Sequence, residues 1–282
     1  MVMESRITMY IDCSVPRPSP VLNNSLAILL QCPGGRNESS FSFLTNSSVF
    51  GRNPSGIGSR IINIVRSSSA LFEYTNRFSH ASLGRNESTT PTTLAGEQEI
   101  FYILSGTGTI TAGGKTADIH EGSTILMPAN LEFTIHNSGD TTMTMYLVNE
   151  PIPDGFRPNE EMLIRDELSM PIASYTGHWC HIVKYLFETK DGLGSLERIL
   201  TVSIDPMQIA HPHSHSEGTE EVWTGISGES LAWIGKEIRL QGPGTGYMVP
   251  ADGKTPHANI NESNERIKMF YFARYKDHEV RK

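Results

Sequence analysis

Cysteine is scarce in this chain. Cys13, Cys32 and Cys180 are odd in number and far apart, and without a Cys-x-x-Cys pair they exclude a thiolate zinc site or a dithiol redox centre. No cluster of Lys and Arg interrupts a formal net charge of −8, and the pI is near 5.7, which sets the protein apart from nucleic-acid and anionic-membrane binders. Long apolar runs are absent: Leu26–Leu30 is five residues, against about 20 for a membrane span. The opening Met-Val-Met-Glu-Ser lacks the basic region and apolar stretch of a secretory signal. Five Asn-x-Ser sequons begin at Asn23, Asn37, Asn46, Asn86 and Asn261, and in an Asn/Ser-rich chain they read as chance, so a cytoplasmic location is expected. Also missing is any sustained 3.6-residue apolar period, which excludes long amphipathic helices.

What is present is a repeat. Glu99-Ile-Phe-Tyr-Ile-Leu-Ser-Gly106 recurs as Glu221-Val-Trp-Thr-Gly-Ile-Ser-Gly228, a shift of 122 residues, and the matched Gly-x5-Pro strings Gly122/Pro128 and Gly244/Pro250 keep that shift. Asn137 and Asn261 differ by 124, so two residues are inserted between Pro250 and Asn261, where His257 lies. Each copy is built from short Val/Ile/Phe/Tyr/Thr-rich segments punctuated by Gly, Pro, Asn and Asp, the pattern of strands and tight turns. The expected strands are Phe101–Leu104, Thr107–Ala112, Ser123–Met127 and Thr141–Val148, then Arg198–Ile204, Glu221–Ile226, Leu231–Ile234, Gly246–Val249 and Ile267–Ala273.

A duplicated set of strands at 8 to 12 residue spacing implies an all-β protein of two sandwiches or barrels. With 282 residues, two domains are expected, 1–155 and 156–282, meeting in the Pro-rich stretch Asn149–Pro158. Glu160–Leu168, charged and opening after Pro158-Asn159, is expected to form a short linker helix. Between Gly34 and Ser69 the Ser/Asn/Gly density indicates loops, with Arg60–Val65 and Ala70–Tyr74 as accessory strands.

His211-Pro-His213-Ser-His215-Ser-Glu-Gly-Thr-Glu220-Glu221 is the densest ligand-bearing segment. On a strand, His213 and His215 would aim two imidazoles at one point. A returning strand could add the carboxylate, and His257 would arrive from the strand pair that closes the barrel. Three neutral imidazoles and a carboxylate suit one divalent cation with open positions for substrate or dioxygen.

With these residues in view, the second copy resembles the cupin superfamily of jelly-roll proteins. The match runs through His213, His215, Glu221-x6-Gly228, Gly244-x5-Pro250, Gly253 and His257-x3-Asn261. It departs in one extra residue between His215 and Glu221, in the missing Gly ahead of the histidines, and in extra residues flanking Gly253. Counting from the histidines selects Glu220 and counting back from Gly228 selects Glu221; the repeat pairs Glu221 with Glu99, so Glu221 is preferred. The resemblance implies two tandem double-stranded β-helix barrels with a metal only in the C-terminal one, because the first copy has no His near Pro91–Leu94 and carries Phe133 where the second has His257. It implies Fe, Mn, Ni or Zn without distinguishing them, a small-molecule substrate and a homodimer.

The remaining candidates are side chains that could meet a substrate. Trp223, two residues after Glu221, either shapes the pocket or fills the core; Arg239 and Tyr247 either fix a substrate carboxylate or hydroxyl or lie on the outer wall. His80, His120 and His136 fall off the ligand positions and read as structural. His211 has no counterpart in the motif, and His178 and His181 would face opposite ways on a strand and so make no pair. The expected function is an iron- or manganese-dependent, dioxygenase-like oxidoreductase, with a Lewis-acid isomerase, lyase or hydrolase and a non-catalytic binding protein as alternatives.

Overall fold

The structure is a computed structural model that describes residues 43–44, 60–66, 77–174 and 176–275. It is all-β, with a single 3-10 turn at Thr189–Asp191 among the described residues. Four sheets build two barrels. The first barrel joins a six-stranded sheet, in the order Leu163–Asp166, Ser123–Met127, Glu97–Ser105, Met143–Pro151, Arg77–Leu83 and Arg60–Arg66, to a three-stranded sheet of Lys115–His120, Thr107–Ala112 and Phe133–His136. The second joins Phe43–Leu44, Gly246–Val249, Thr219–Ser227, Ile267–Tyr275, Leu196–Ile204 and Ile182–Glu188 to a four-stranded sheet of Gln208–Ile209, His257–Asn261, Ser230–Ile234 and Glu237–Gln241.

The repeat governs register as well as sequence. Glu99 pairs with Met127 and Asn149, and Glu221 pairs with Val249 and Ala273, the same partners shifted by 122 and 124. The corner residue repeats too. Asn137 donates its amide to the carbonyls of Leu83, Gly84 and Thr141, and Asn261 does so to those of Ile204, Asp205 and Glu265, which gives both asparagines a structural task. Buried this way at 1% exposure, Asn261 has no amide left for a glycan.

Side chains alternate across each strand, which divides the core into three. Phe101, Ile103, Ile110 and Phe133 fill the first barrel, and Val202, Trp223, Tyr247 and Tyr271 belong to the second. The opposite faces of the two six-stranded sheets, carrying Ile100, Tyr102 and Tyr146 on one side and Val222, Phe270 and Phe272 on the other, make a third core between them. Burial on both faces explains why Gln98–Ile103 and Thr219–Gly225 are buried at every position instead of alternating. Each buried aromatic in this layer is worth about 1.5–3 kcal/mol.

The leading strands are exchanged between the copies. Leu163–Asp166 extends the first sheet by pairing with Ser123–Leu126, and Phe43–Leu44 pairs with Tyr247 and Gly246 of the second. The helix expected over Glu160–Leu168 is therefore a strand. Two of its charges are engaged rather than solvated: Arg165 holds Asp191 through two nitrogens at 2.9 and 2.6 Å, and Glu167 accepts from Tyr102 at 2.6 Å, Thr201 at 2.9 Å and Lys268 at 3.0 Å. The strand expected near Arg60–Val65 is present as Arg60–Arg66, whereas Ala70–Tyr74 lies outside the described residues.

Candidate metal centre

Three segments deliver the site. The Thr219–Ser227 strand turns Glu221 inward, as the inward Trp223 two residues on requires. The His257–Asn261 strand begins with His257, 1% exposed and paired in register with Ile234. The segment 211–216 carries His213 and His215. It is a loop touching the sheet only through the His213–His257 bridge, so the expected strand geometry does not hold there. The extra residue before Glu221 is taken up in a turn at Gly218, φ +91°. Gly253, φ +67°, lets that loop pack close: a Cβ there would stand 2.6 Å from the Glu217 nitrogen.

The ligand atoms of His213, His215 and His257 lie within 4.8 Å of one another. The carboxylate of Glu221 sits beside them, Oε1 at 2.9 Å from His215 Nε2 and Oε2 at 3.2 Å from His257 Nε2. Neither contact is aligned as a hydrogen bond, and both Nε2 atoms are buried without a hydrogen-bonding partner. Buried, unpartnered nitrogens are costly unless something else satisfies them. Such nitrogens grouped around one carboxylate are what a cation-binding donor set presents. His213 donates Nδ1–H to the His211 carbonyl at 2.7 Å, which leaves Nε2 as its lone-pair nitrogen.

The electrostatics favour ligand protonation states. Burial and the neighbouring His257 push His213 down to about 3, so its imidazole is neutral near pH 7. Burial opposes the charge on Glu221, but the imidazoles of His215 and His257 outweigh it and hold its pKa well below the usual carboxylate range. Tyr271 Oη and Trp223 Nε1, the latter at 3.1 Å, donate to the two oxygens and fix the carboxylate. The donors present, three imidazoles and one carboxylate, fit a divalent first-row metal.

Glu220 lies on the other face of its strand, opposite Arg274 in register, and does not join this group. Trp223 lines the cavity beside the histidines. Tyr247 is fully buried, its hydroxyl accepting from Asn259 at 2.8 Å, and does not line the cavity. Arg239, on the edge strand of the four-stranded sheet, is bound to Glu237 at 2.7 and 3.0 Å and is also absent from the lining.

The cavity has a volume near 210 Å³, and its lining also includes Thr176, His178, His181, Tyr185 and Arg198. Sequence reasoning passed over these residues. The pairing of His178 with His181 was dismissed on strand geometry, but both stand on a loop twisted by Gly177 at φ +74° and Cys180 at φ +57°, which brings their rings to 5.2 Å. The available signal was the pair of histidines in Gly177-His178-Trp179-Cys180-His181 just ahead of the Val/Tyr/Leu/Phe-rich run Ile182–Glu188.

In the first barrel the Thr92–Phe133 bridge occupies the place of His213–His257, and Leu94 stands for His215. Phe133 packs on Phe101, which replaces Trp223, at a ring distance of 5.5 Å. Glu99 alone keeps its ligand counterpart, and among the described residues no metal-binding cluster occurs in this barrel.

These features define a pair of jelly-roll barrels with one polar interior site. The comparisons agree on the fold. The cupin domain family matches residues 82–149, within the first barrel. The structure resembles a putative glyoxylate-induced protein from Pseudomonas aeruginosa (TM-score 0.67, 13% identity, 89% of this chain and 93% of that one). It also resembles oxalate decarboxylase from Bacillus subtilis (0.63, 12%, 86% and 79%), a protein described with Mn(II) centres. A third likeness is to vicilin from hazelnut, Corylus avellana (0.63, 11%, 83% and 84%). No curated protein matches by sequence. Residues 82–149 thus match the cupin domain, and the chain folds as tandem jelly-roll barrels like those of these structures. No helix among the described residues is long and apolar enough to cross a membrane.

Proposed function

We propose that the chain is a metal-binding bicupin, dividing near residue 155, whose second barrel is an iron- or manganese-dependent oxidoreductase acting on a small organic acid or related metabolite. The observation that carries this reading is the grouping of His213, His215, His257 and Glu221 around one point on the wall of a cavity near 210 Å³. The four side chains would hold the ion, which when bound supplies electrophilic and one-electron chemistry to an adjoining ligand.

The protein's own part is positioning. Arg198 stands on the cavity wall with its guanidinium bound by Glu197, and a substrate carboxylate there would share or displace that pairing. Tyr271 and Trp223 each donate to one oxygen of Glu221 and keep the carboxylate oriented. Apolar Val183, Leu200 and Val202 exclude water from the rest of the wall. The volume lies below the roughly 300–1,000 Å³ typical of drug-sized ligands, which suits a small metabolite.

The test is anaerobic loading with Fe(II) or Mn(II), then oxygen uptake over a panel of small carboxylic acids and phenols. Uptake with one of them is expected. A metal-loaded protein that consumes no oxygen with any would overturn the oxidoreductase reading. The Mn(II) centres of the oxalate decarboxylase neighbour favour a second reading, a lyase using the cation as Lewis acid, and carbon dioxide release without oxygen consumption would select it.

A further inference from the structure

His178 belongs to neither motif segment of the second barrel. It sits on the loop preceding the Ile182–Glu188 strand, tied down by Ala173 N–H to the Val183 carbonyl at 2.8 Å and by His211 N–H to the Trp179 carbonyl at 3.3 Å. Its Nδ1 meets the Thr176 carbonyl at 2.7 Å and so carries the ring proton. His213 is in the same state, with Nδ1 on the His211 carbonyl. The two Nε2 atoms nevertheless face each other at 3.2 Å. Two lone pairs at that distance repel unless a positive centre lies between or beside them. Ligands at right angles on a metal, each about 2.1 Å from it, are about 3 Å apart.

His178 stands outside the His213, His215 and His257 group and shares only His213 with it, so joining the same ion requires a small inward movement of its loop. The ligand atoms of His178, His211 and His213 also lie within 4.8 Å of one another, so His213 is common to two histidine groups. Its single free nitrogen can serve only one ion. His178 lines the same cavity as His213, His215 and Glu221.

We propose that His178 is a fourth imidazole ligand of the same ion, supplied by a loop and entering from the cavity side. With four imidazole nitrogens and one carboxylate oxygen engaged, octahedral coordination leaves one exchangeable position rather than two. A small acid would then bind through a single atom, and any second exogenous ligand requires His178 to leave. His211, stacked on Trp179 at 3.7 Å, braces the loop and stays outside the donor set.

This rests on the metal-site reading above, and titration of the whole apo-protein with Co(II) separates the two. Calorimetry gives stoichiometry and affinity, and the visible absorption of the bound Co(II) reports its coordination. One equivalent is expected for the unchanged chain. His178→Ala is expected to keep that equivalent, bind it at least about tenfold more weakly, and shift the absorption bands, with added free imidazole restoring them; His120→Ala, in the first barrel, should leave both readouts unchanged. Equal affinity and an identical spectrum in His178→Ala would overturn the proposal while leaving the metal site intact. Two equivalents in the unchanged chain, one of them lost in both His178→Ala and His211→Ala, would also overturn it, in favour of a separate site. No Co(II) binding at all would overturn the metal-site reading and this proposal together.

Discussion

The two barrels share a frame and differ in what they place on it. At the interior, Thr92, Leu94 and Phe133 of the first stand where the second has His213, His215 and His257, while Glu99 and Glu221 coincide. Outside, the contrast reverses. Thr109, Asp118 and His136 form one row across the three-stranded sheet, and Leu231, Leu240 and Ile260 form the same row in the second barrel. Thr111 and Thr116 likewise correspond to Trp233 and Ile238, and Ile209 extends the apolar row onto a fourth strand. Since one frame tolerates both choices at both places, neither the polar interior nor the apolar exterior of the second barrel is demanded by folding. Function is the reason left for them.

Writing the first barrel's choice into the second gives the largest expected effect. His257→Phe removes two buried nitrogens that have no hydrogen-bonding partner and should reduce metal affinity at least about 100-fold. Without metal, the variant should melt higher than the parent. The buried unsatisfied group costs about 1–3 kcal/mol, and each kcal/mol moves Tm by roughly 2–4 °C in a chain of this size class. Paired calorimetric scans with and without metal check this, and a variant that melts lower in both would show the histidine to be a folding element.

Gly253→Ala tests whether the His215 loop is positioned by close packing. The new Cβ would meet the Glu217 backbone, and an affinity loss of about tenfold is expected with the melting curve of the first barrel unaltered. Unchanged binding would show that the loop adjusts freely.

The outer face sharpens the comparison further. We propose this row as the contact face should the chain pair with its own copy, because uncharged side chains can meet across a two-fold axis. Leu240, 62% exposed, changed to Lys should lower the solution mass measured by light scattering to that of one chain, whereas Thr109→Lys on the first barrel should leave it unchanged. An unaltered mass in Leu240→Lys would place the contact elsewhere.

The smallest effect lies between the barrels. Burial opposes the charge on Glu167, but Tyr102, Lys268 and Thr201 outweigh it and lower its pKa from 4.5. Its stabilising contribution is therefore full above the unfolded-state value and is lost as pH falls through the lower folded-state one. Glu167→Gln should be slightly less stable near neutrality and lose less stability than the parent on acidification. Parallel acid curves for the two would remove Glu167 as a source of the pH dependence.

Much of this was legible in the sequence, for identifiable reasons. The repeat carried the register, so Glu99 and Glu221 could be matched and the two-residue insertion at His257 located. Strands buried on one face alternated visibly. What was hidden depended on partners distant in sequence: Glu160–Leu168 reads as a helix because Arg165 finds Asp191, and Glu167 finds Tyr102 and Lys268, only after folding. His178 was missed because loop torsions, not strand alternation, direct its ring. Arg239 was proposed on charge alone, and Glu237 two residues earlier takes that charge.

The central claim is that one barrel holds an ion and the other supports it. Elemental analysis of protein purified without added metal, together with Glu221→Gln and Glu99→Gln, tests it most directly. One equivalent per chain is expected, lost in Glu221→Gln and retained in Glu99→Gln. Two equivalents, none, or loss in Glu99→Gln would contradict the account.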